Sequence, residues 1–302
     1  MESPHGGALE SSAAEAVREI WLVAPFIKEA PLRRLLKAVK LDVRITVVTR
    51  WNPAEVASGV SDLGCRALVN SYQDSDFRLL PPLHAKYYRF DDDAYVGSAN
   101  LTKRGLGWTN PSNVELLIKS RPLDHFESEI HSRSTCATDE MQKLVEIAAA
   151  QIPIPPGADF PDDADDFSCA NLGYKSPWFP RYRRPDALFD IQRSMGEYPH
   201  TQVSVGIQDL KYLAVSRCEN ETQFNAAVAA SLIMQPTIAS LIDFAAQPRR
   251  FGEVRRWVGN IIPPDEDATL RTQAIYRWVQ HFLPEIFEID RPRHSEIIRT
   301  RR

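Results

Sequence analysis

The chain has 302 residues, 43% of them hydrophobic and 25% charged, a balance that supports packed cores over two domains and excludes disorder throughout. A formal net charge of −4 and a pI near 6.0 leave nucleic-acid binding to local patches, because the overall charge does not favour it. Cys65, Cys136, Cys169 and Cys218 are scattered, with no CxxC pair and no histidine cluster at zinc-ligand spacing, which argues against structural zinc and a disulfide framework.

Residues 1–15 are weakly patterned and are expected to form a flexible N-terminus. They hold neither a basic n-region nor an apolar h-region, and no later run approaches the ~20 apolar residues of a membrane span. A cytoplasmic, reducing setting without membrane partners is the expectation. "EIWLVAPFI" then reads as a strand buried on both faces. "PLRRLLKAVK" has helical apolar spacing and a proline suited to a first turn, and "DVRITVVTRW" is a second β-branched strand. "NPAEVASGVSDLG" reads as a helix capped by Asn52 and stopped by Gly64. The order βαβα predicts an α/β layer.

"LHAKYYRFDDDAYVGSANLT" follows as a hairpin, "NVELLIKS" as a strand and "ATDEMQKLVEIAAAQ" as a helix. "IPIPPGADFPDDADD" is rich in proline and aspartate and reads as a linker. The expected division is residues 16–150 as the α/β domain, 151–167 as the linker and 168–302 as a mainly helical accessory domain. In that last part "TQVSVGI" alternates like a strand or an entry segment. The longer segments "ETQFNAAVAASLIMQPTIASLIDFAAQ", "FGEVRRWVGNI" and "ATLRTQAIYRWVQHFL" are helical by period, with Pro236 splitting the first. "WFPRYRR" and "VRRWV" either touch nucleic acid or pack as amphipathic faces against the first domain.

The hairpin collects the chemistry. Side chains two apart on a strand share a face, so His84 and Lys86 point one way, as do Ser98 and Asn100. A three-residue loop, Asp91 to Asp93, would set Lys86 opposite Ser98 and His84 opposite Asn100. An imidazole, an ammonium, a hydroxyl and an amide with no adjacent carboxylate form an oxyanion receptor. Phosphate is the natural guest, with the histidine close enough to attack phosphorus.

Arg50, at the carboxyl end of its strand, either meets a substrate phosphate or is structural. Lys103 and Arg104 either follow a nucleic-acid backbone or begin a charged helix. Glu115 is a charge in an apolar strand and asks for a partner. The remaining histidines, His5, His125, His131, His200, His281 and His294, belong to no such constellation.

Together, His84, Lys86, Asp91, Gly97, Ser98 and Asn100 resemble the phospholipase D superfamily signature, HxK followed by Asp and GSxN, with either Asp91 or Asp92 at the Asp position. "LHAKYY…GSANLTKRGLG…NVELL" looks in particular like the single-motif bacterial branch of metal-independent nucleases and restriction-type endonucleases. The resemblance covers roughly Glu19 to Lys119. It implies a phospholipase D-like mixed sheet flanked by helices, followed here by the mainly α-helical domain. It also implies Glu115 as the carboxylate that holds the His84 ring, and chemistry that needs no metal and no cofactor.

Such enzymes use two histidines, and no second HxK with GSxN occurs in this chain. The resemblance therefore implies a homodimer through the catalytic domain, acting on nucleic acid through a phosphohistidine, in a restriction or anti-phage defence setting with a partner protein. The alternatives are a phospholipase or phosphatidyl transferase, and a non-catalytic nucleic-acid-binding subunit of a defence complex.

Overall fold

A computed structural model describes residues 4–153, 177–292 and 296–301. The chain divides into two compact units, Met1–Phe167 and Ser168–Arg302. Most of the expected linker, from residue 154 onward, lies outside the described residues.

The first unit runs α1 (Pro4–Glu15), β1 (Glu19–Val23), α2 (Glu29–Leu36), β2 (Arg44–Thr49), α3 (Pro53–Ala57), α4 (Cys65–Val69), β3 (Asp76–Leu79), β4 (Lys86–Phe90), β5 (Asp93–Gly97), β6 (Leu117–Ser120), α5 (Asp124–Arg133), β7 (Thr135–Cys136) and α6 (Asp139–Ala150). Its seven strands form one mixed sheet in the order β6-β5-β4-β1-β2-β3-β7. β1, β2 and β3 run parallel, and the remaining pairs are antiparallel.

β1 and β2 are central, which explains their continuous apolar runs: Ile20, Leu22, Val23, Ile45, Val47 and Val48 are all fully buried. α2 buries Leu32, Leu35 and Leu36 while Arg33 and Arg34 face water. On one face of the sheet Tyr87, Val23, Val48 and Ala94 pack with Leu80, Leu83 and Ile130 of α5.

Residues 1–15 are not a flexible tail over the part described. α1 buries Leu9 and Ala13 completely, and their i, i+4 spacing is what a short helix needs to dock. The helix expected over "NPAEVASGVSDLG" is broken. The Asn52 side chain does cap α3, accepting from Ala54 N at 2.9 Å, but Gly59 has φ +77°, and Gly64 precedes α4 instead of ending α3. β3 and α5 had no counterpart in the sequence reading. β3 is disguised by Arg78, whose guanidinium donates to the Ser134 hydroxyl at 2.7 Å and to the His131 and Ser134 carbonyls at 3.2 and 2.9 Å.

The second unit has a short 3-10 turn (Pro185–Ala187) followed by α7 (Leu188–Arg193), α8 (His200–Tyr212), α9 (Glu221–Ile233), α10 (Pro236–Phe244), β8 (Arg249–Arg250), α11 (Phe251–Gly259), α12 (Ala268–Phe282), β9 (Phe287–Asp290) and β10 (Ile297–Thr300). The last strands form a small sheet in the order β8-β10-β9. "TQVSVGI" is helical: α8 buries Gly206, Asp209 and Leu210, a three-and-four spacing that its apparent alternation concealed. Pro236 separates α9 from α10 at a bend of 76°, because its ring cannot continue the preceding helix. Among the described residues no single helix is long and apolar enough to cross a membrane.

The aromatic residues of "WFPRYRR" pack into this unit's own core. Trp178 stacks on Tyr212 with centroids 4.9 Å apart, and Trp278 Nε1 donates to the Tyr182 carbonyl at 2.6 Å. Beside them, the Asp209 carboxylate accepts from Arg181 N and Tyr182 N, both at 2.8 Å. Burial pushes the Asp209 carboxyl up to about 6, against the pull of those two amides.

The unfolded value is about 3.9, so this group's stabilising share is complete below about pH 4 and is lost as pH rises through about 6. Asp209→Asn stays neutral and keeps an acceptor oxygen. Unfolding of this unit, followed by tryptophan fluorescence from pH 3 to 8, is expected to show a wild-type loss of about 2–3 kcal/mol that the variant lacks. A wild-type minus variant difference that stays level across that range removes the assignment.

Candidate active site

The hairpin turn consists of Asp91 and Asp92 alone, since Asp93 already pairs with Phe90 and Lys86 pairs with Gly97. The expected three-residue loop, and with it the pairing of Lys86 with Ser98 and of His84 with Asn100, is therefore replaced. Asp91 sets the turn. It adopts φ +51°, a left-handed conformation that aspartate tolerates better than most residues. Its carboxylate accepts from the amides of Val17, Arg18 and Glu19 at 2.8, 2.9 and 2.9 Å.

Partial burial alone would raise the Asp91 carboxyl, but the Glu19, Val17 and Arg18 amides together hold it below the ordinary carboxylate range. Asp92 is exposed and makes an ion pair with Arg18 at 2.5 Å. Of the two, Asp91 is the one whose carboxylate ties the turn to the start of β1.

Topology, not cross-strand register, gathers the polar residues. β4 runs antiparallel to β1, with Tyr87 beside Val23, so the start of β4, the end of β5 and the carboxyl ends of β1 and β2 share one edge of the sheet. His84 lies exposed just before β4, and Lys86, only 8% exposed, opens the strand. Gly97 ends β5 against Leu116, where a Cβ would collide with the Leu116 carbonyl, so glycine is required. Ser98 N then donates to Leu116 O at 2.9 Å, and Leu116 N donates to Ser98 Oγ at 3.0 Å.

The chain next turns inward. Tyr88 OH donates to the Ala99 carbonyl at 2.7 Å. Asn100 is 2% exposed, and its side-chain oxygen accepts from Phe26 N, beyond β1, at 3.4 Å. Leu101 bridges Ile27, and at Gly105 a Cβ would lie 2.7 Å from the Asn100 carbonyl, so this loop closes tightly around the asparagine.

Glu115 lies in an extended segment ahead of β6, which is shorter than expected. Its carboxylate accepts from the Ser98 hydroxyl and from Asn113 Nδ2, the latter at 3.2 Å. Asn113 was not singled out in the sequence; the N-x-E spacing that brings it to Glu115 was its only signal.

Arg50 is held inside the first unit. It is 6% exposed and forms an ion pair with the fully buried Glu55 at 2.6 Å, while its Nη1 donates to the Leu83 carbonyl at 2.9 Å. Burial pushes the Glu55 carboxyl up, with the Arg50 guanidinium working in the opposite direction. Leu83 directly precedes His84, so this pair anchors the residue that carries the histidine. Glu55 was missed because a lone glutamate in "NPAEVA" reads as solvent-facing. Lys103 and Arg104 begin no helix: residues 103–107 form turns, in which Trp108 N donates to the Lys103 carbonyl at 2.7 Å and Asn113 N to the Arg104 carbonyl at 3.2 Å. The Lys103 side chain is exposed.

A cation, an amide and a hydroxyl at one edge beside an exposed imidazole can bind a tetrahedral oxyanion and supply a nitrogen nucleophile. Residues 9–133 match the family model described as "Cardiolipin synthase, PLD-like domain". No curated protein matches the chain.

Among solved structures, NucT from Helicobacter pylori is 16% identical with a TM-score of 0.35, the alignment covering 43% of this chain and 88% of that one. Nuc from Salmonella typhimurium, a phospholipase D family member, is 19% identical with a TM-score of 0.35, over 45% of this chain and 95% of that one. Phosphatidylserine synthase from Haemophilus influenzae Rd KW20 is 15% identical with a TM-score of 0.34, over 42% of this chain and 33% of that one.

Proposed function

We propose that this chain, whose residues 9–133 match a phospholipase D-like domain, is a metal-independent nuclease working as a homodimer. The carrying observation is that the exposed His84 sits at the sheet edge beside buried Lys86 and Asn100, while the chain holds a single copy of this motif. Two copies meeting about a two-fold axis supply the second histidine.

In the first step a His84 ring nitrogen forms a bond to phosphorus. The bond to the leaving oxygen breaks, and that oxygen takes a proton from the partner subunit's His84. In the second step the same partner histidine removes a proton from water, whose oxygen attacks phosphorus and releases the His84 nitrogen. Lys86 and Asn100 from both copies bind the non-bridging oxygens, where charge develops. Glu115 fixes the Ser98 hydroxyl, and the family resemblance makes it the carboxylate that orients the His84 ring. The second unit serves recognition of the target or of a partner protein, in keeping with a restriction-type or anti-phage setting.

Incubation with end-labelled DNA and RNA in EDTA, stopped in alkali, is expected to leave label on the protein that acid removes, at about one label per dimer. Cleavage that requires an added divalent ion, or an active species that sediments as a monomer, sinks the proposal. Anionic vesicles in the same assay report the alternative: labelled phosphatidyl transfer without nucleic-acid cleavage would make the protein a lipid enzyme.

A further inference from the structure

The matched stretch begins at residue 9, so the first turn of α1 lies outside it, yet that turn is tied to the loop that carries Glu115. His5 Nε2 donates to the Glu115 carbonyl at 3.0 Å; with a carbonyl as acceptor, this nitrogen carries the proton. Gly6 N donates to the Leu106 carbonyl at 3.1 Å, and a Cβ on Gly6 would collide with Trp108, so the helix backbone seats directly on the loop.

The Arg34 guanidinium covers the Trp108 ring 4.3 Å from its centroid. Glu10 of α1 accepts two hydrogen bonds from Arg34, at 2.7 and 3.0 Å. Further along, Ser12 shares a hydrogen bond with Tyr95 of β5 at 2.9 Å. α1 is thus bound at its first turn to the Glu115 loop and midway to the strand that leads into Ser98.

We propose that His5 is a positioning residue for the phosphodiester site: by holding the Glu115 peptide it keeps the Glu115 carboxylate on the Ser98 hydroxyl. This rests on the functional reading above. Glu115 is gripped from two sides, its carbonyl by α1 and its carboxylate by Ser98 and Asn113. Loss of the first grip lets the peptide rotate and carries the carboxylate away from Ser98.

The test uses the full-length protein with His5→Ala and His5→Gln, since glutamine keeps an N–H donor at similar reach. On bis(p-nitrophenyl) phosphate, His5→Ala is expected to lower kcat about tenfold while KM stays within about twofold, and His5→Gln to recover most of the loss. In a Glu115→Ala background, His5→Ala is expected to add nothing. Amide exchange over residues 113–117 is expected to quicken in His5→Ala and to return toward wild type in His5→Gln.

Unchanged exchange in His5→Ala overturns the inference, as does unchanged kcat in an active enzyme. So does a kcat loss that His5→Gln fails to relieve. If the wild type cleaves no phosphodiester, the functional reading fails by itself, and the exchange measurement still decides whether His5 holds the loop.

Discussion

His84→Ala is expected to reduce single-turnover phosphodiester cleavage by on the order of 10³-fold or more, with the fold intact. The loss is this large because in the proposed two-fold composite site one substitution removes both the nucleophile and the general acid. The fold survives because His84 is exposed and lies outside β4, whereas the neighbouring turn is set by Asp91 and the neighbouring packing by Leu83 and Tyr87.

Mixing separates this from a site contained in one chain. After subunit exchange between equal amounts of wild type and His84→Ala, activity is expected to fall to roughly one quarter of the undiluted wild type, because only wild-type homodimers hold two histidines. A fall to one half would mean that each chain works alone. A variant within about tenfold of wild type would falsify the role of His84.

Glu55→Ala is expected to destabilise the first unit by about 3–5 kcal/mol, because it leaves the Arg50 guanidinium buried with its carboxylate partner removed. Arg50→Met with Glu55→Leu is expected to restore most of that stability, since a buried ion pair replaced by apolar side chains of similar volume is often near neutral. Catalysis should not recover with it. The double variant still lacks the donor that holds the Leu83 carbonyl, one residue before the proposed nucleophile.

Exchange of the β2 and β4 amides reads the stability, and single-turnover cleavage reads the anchoring. If the double variant is stable and fully active, the Leu83 anchor plays no part in placing His84, and the Arg50–Glu55 pair is structural only.

Much of the site was legible because its residues are close in sequence. His84 and Lys86 are two apart, as are Ser98 and Asn100, and Gly97 precedes Ser98, so the residue types and their spacing single out the segments that the structure brings to one sheet edge. The turn between them was not legible. Three consecutive aspartates are chemically alike, and only the amides of residues 17–19, more than seventy positions away, select Asp91 for the left-handed conformation. The roles of Arg50 and β3 were hidden similarly: each depends on a buried charge satisfied by distant partners, Leu83 for Arg50 and the 131–134 segment for Arg78. In the second unit the helical period was plain in α9, α11 and α12, but "TQVSVGI" misled because its alternation overlies a buried three-and-four stripe.

The sequence by itself determined which polar groups the motif offers and the α/β character of the first unit, because residue type and local period are properties of the chain alone. Only the tertiary structure decided how the motif is assembled. The two halves of the hairpin pair directly, while the placing of β4 beside β1, the tight Gly97–Leu116 approach and the α1 bond to the Glu115 carbonyl each depend on where distant backbone comes to rest.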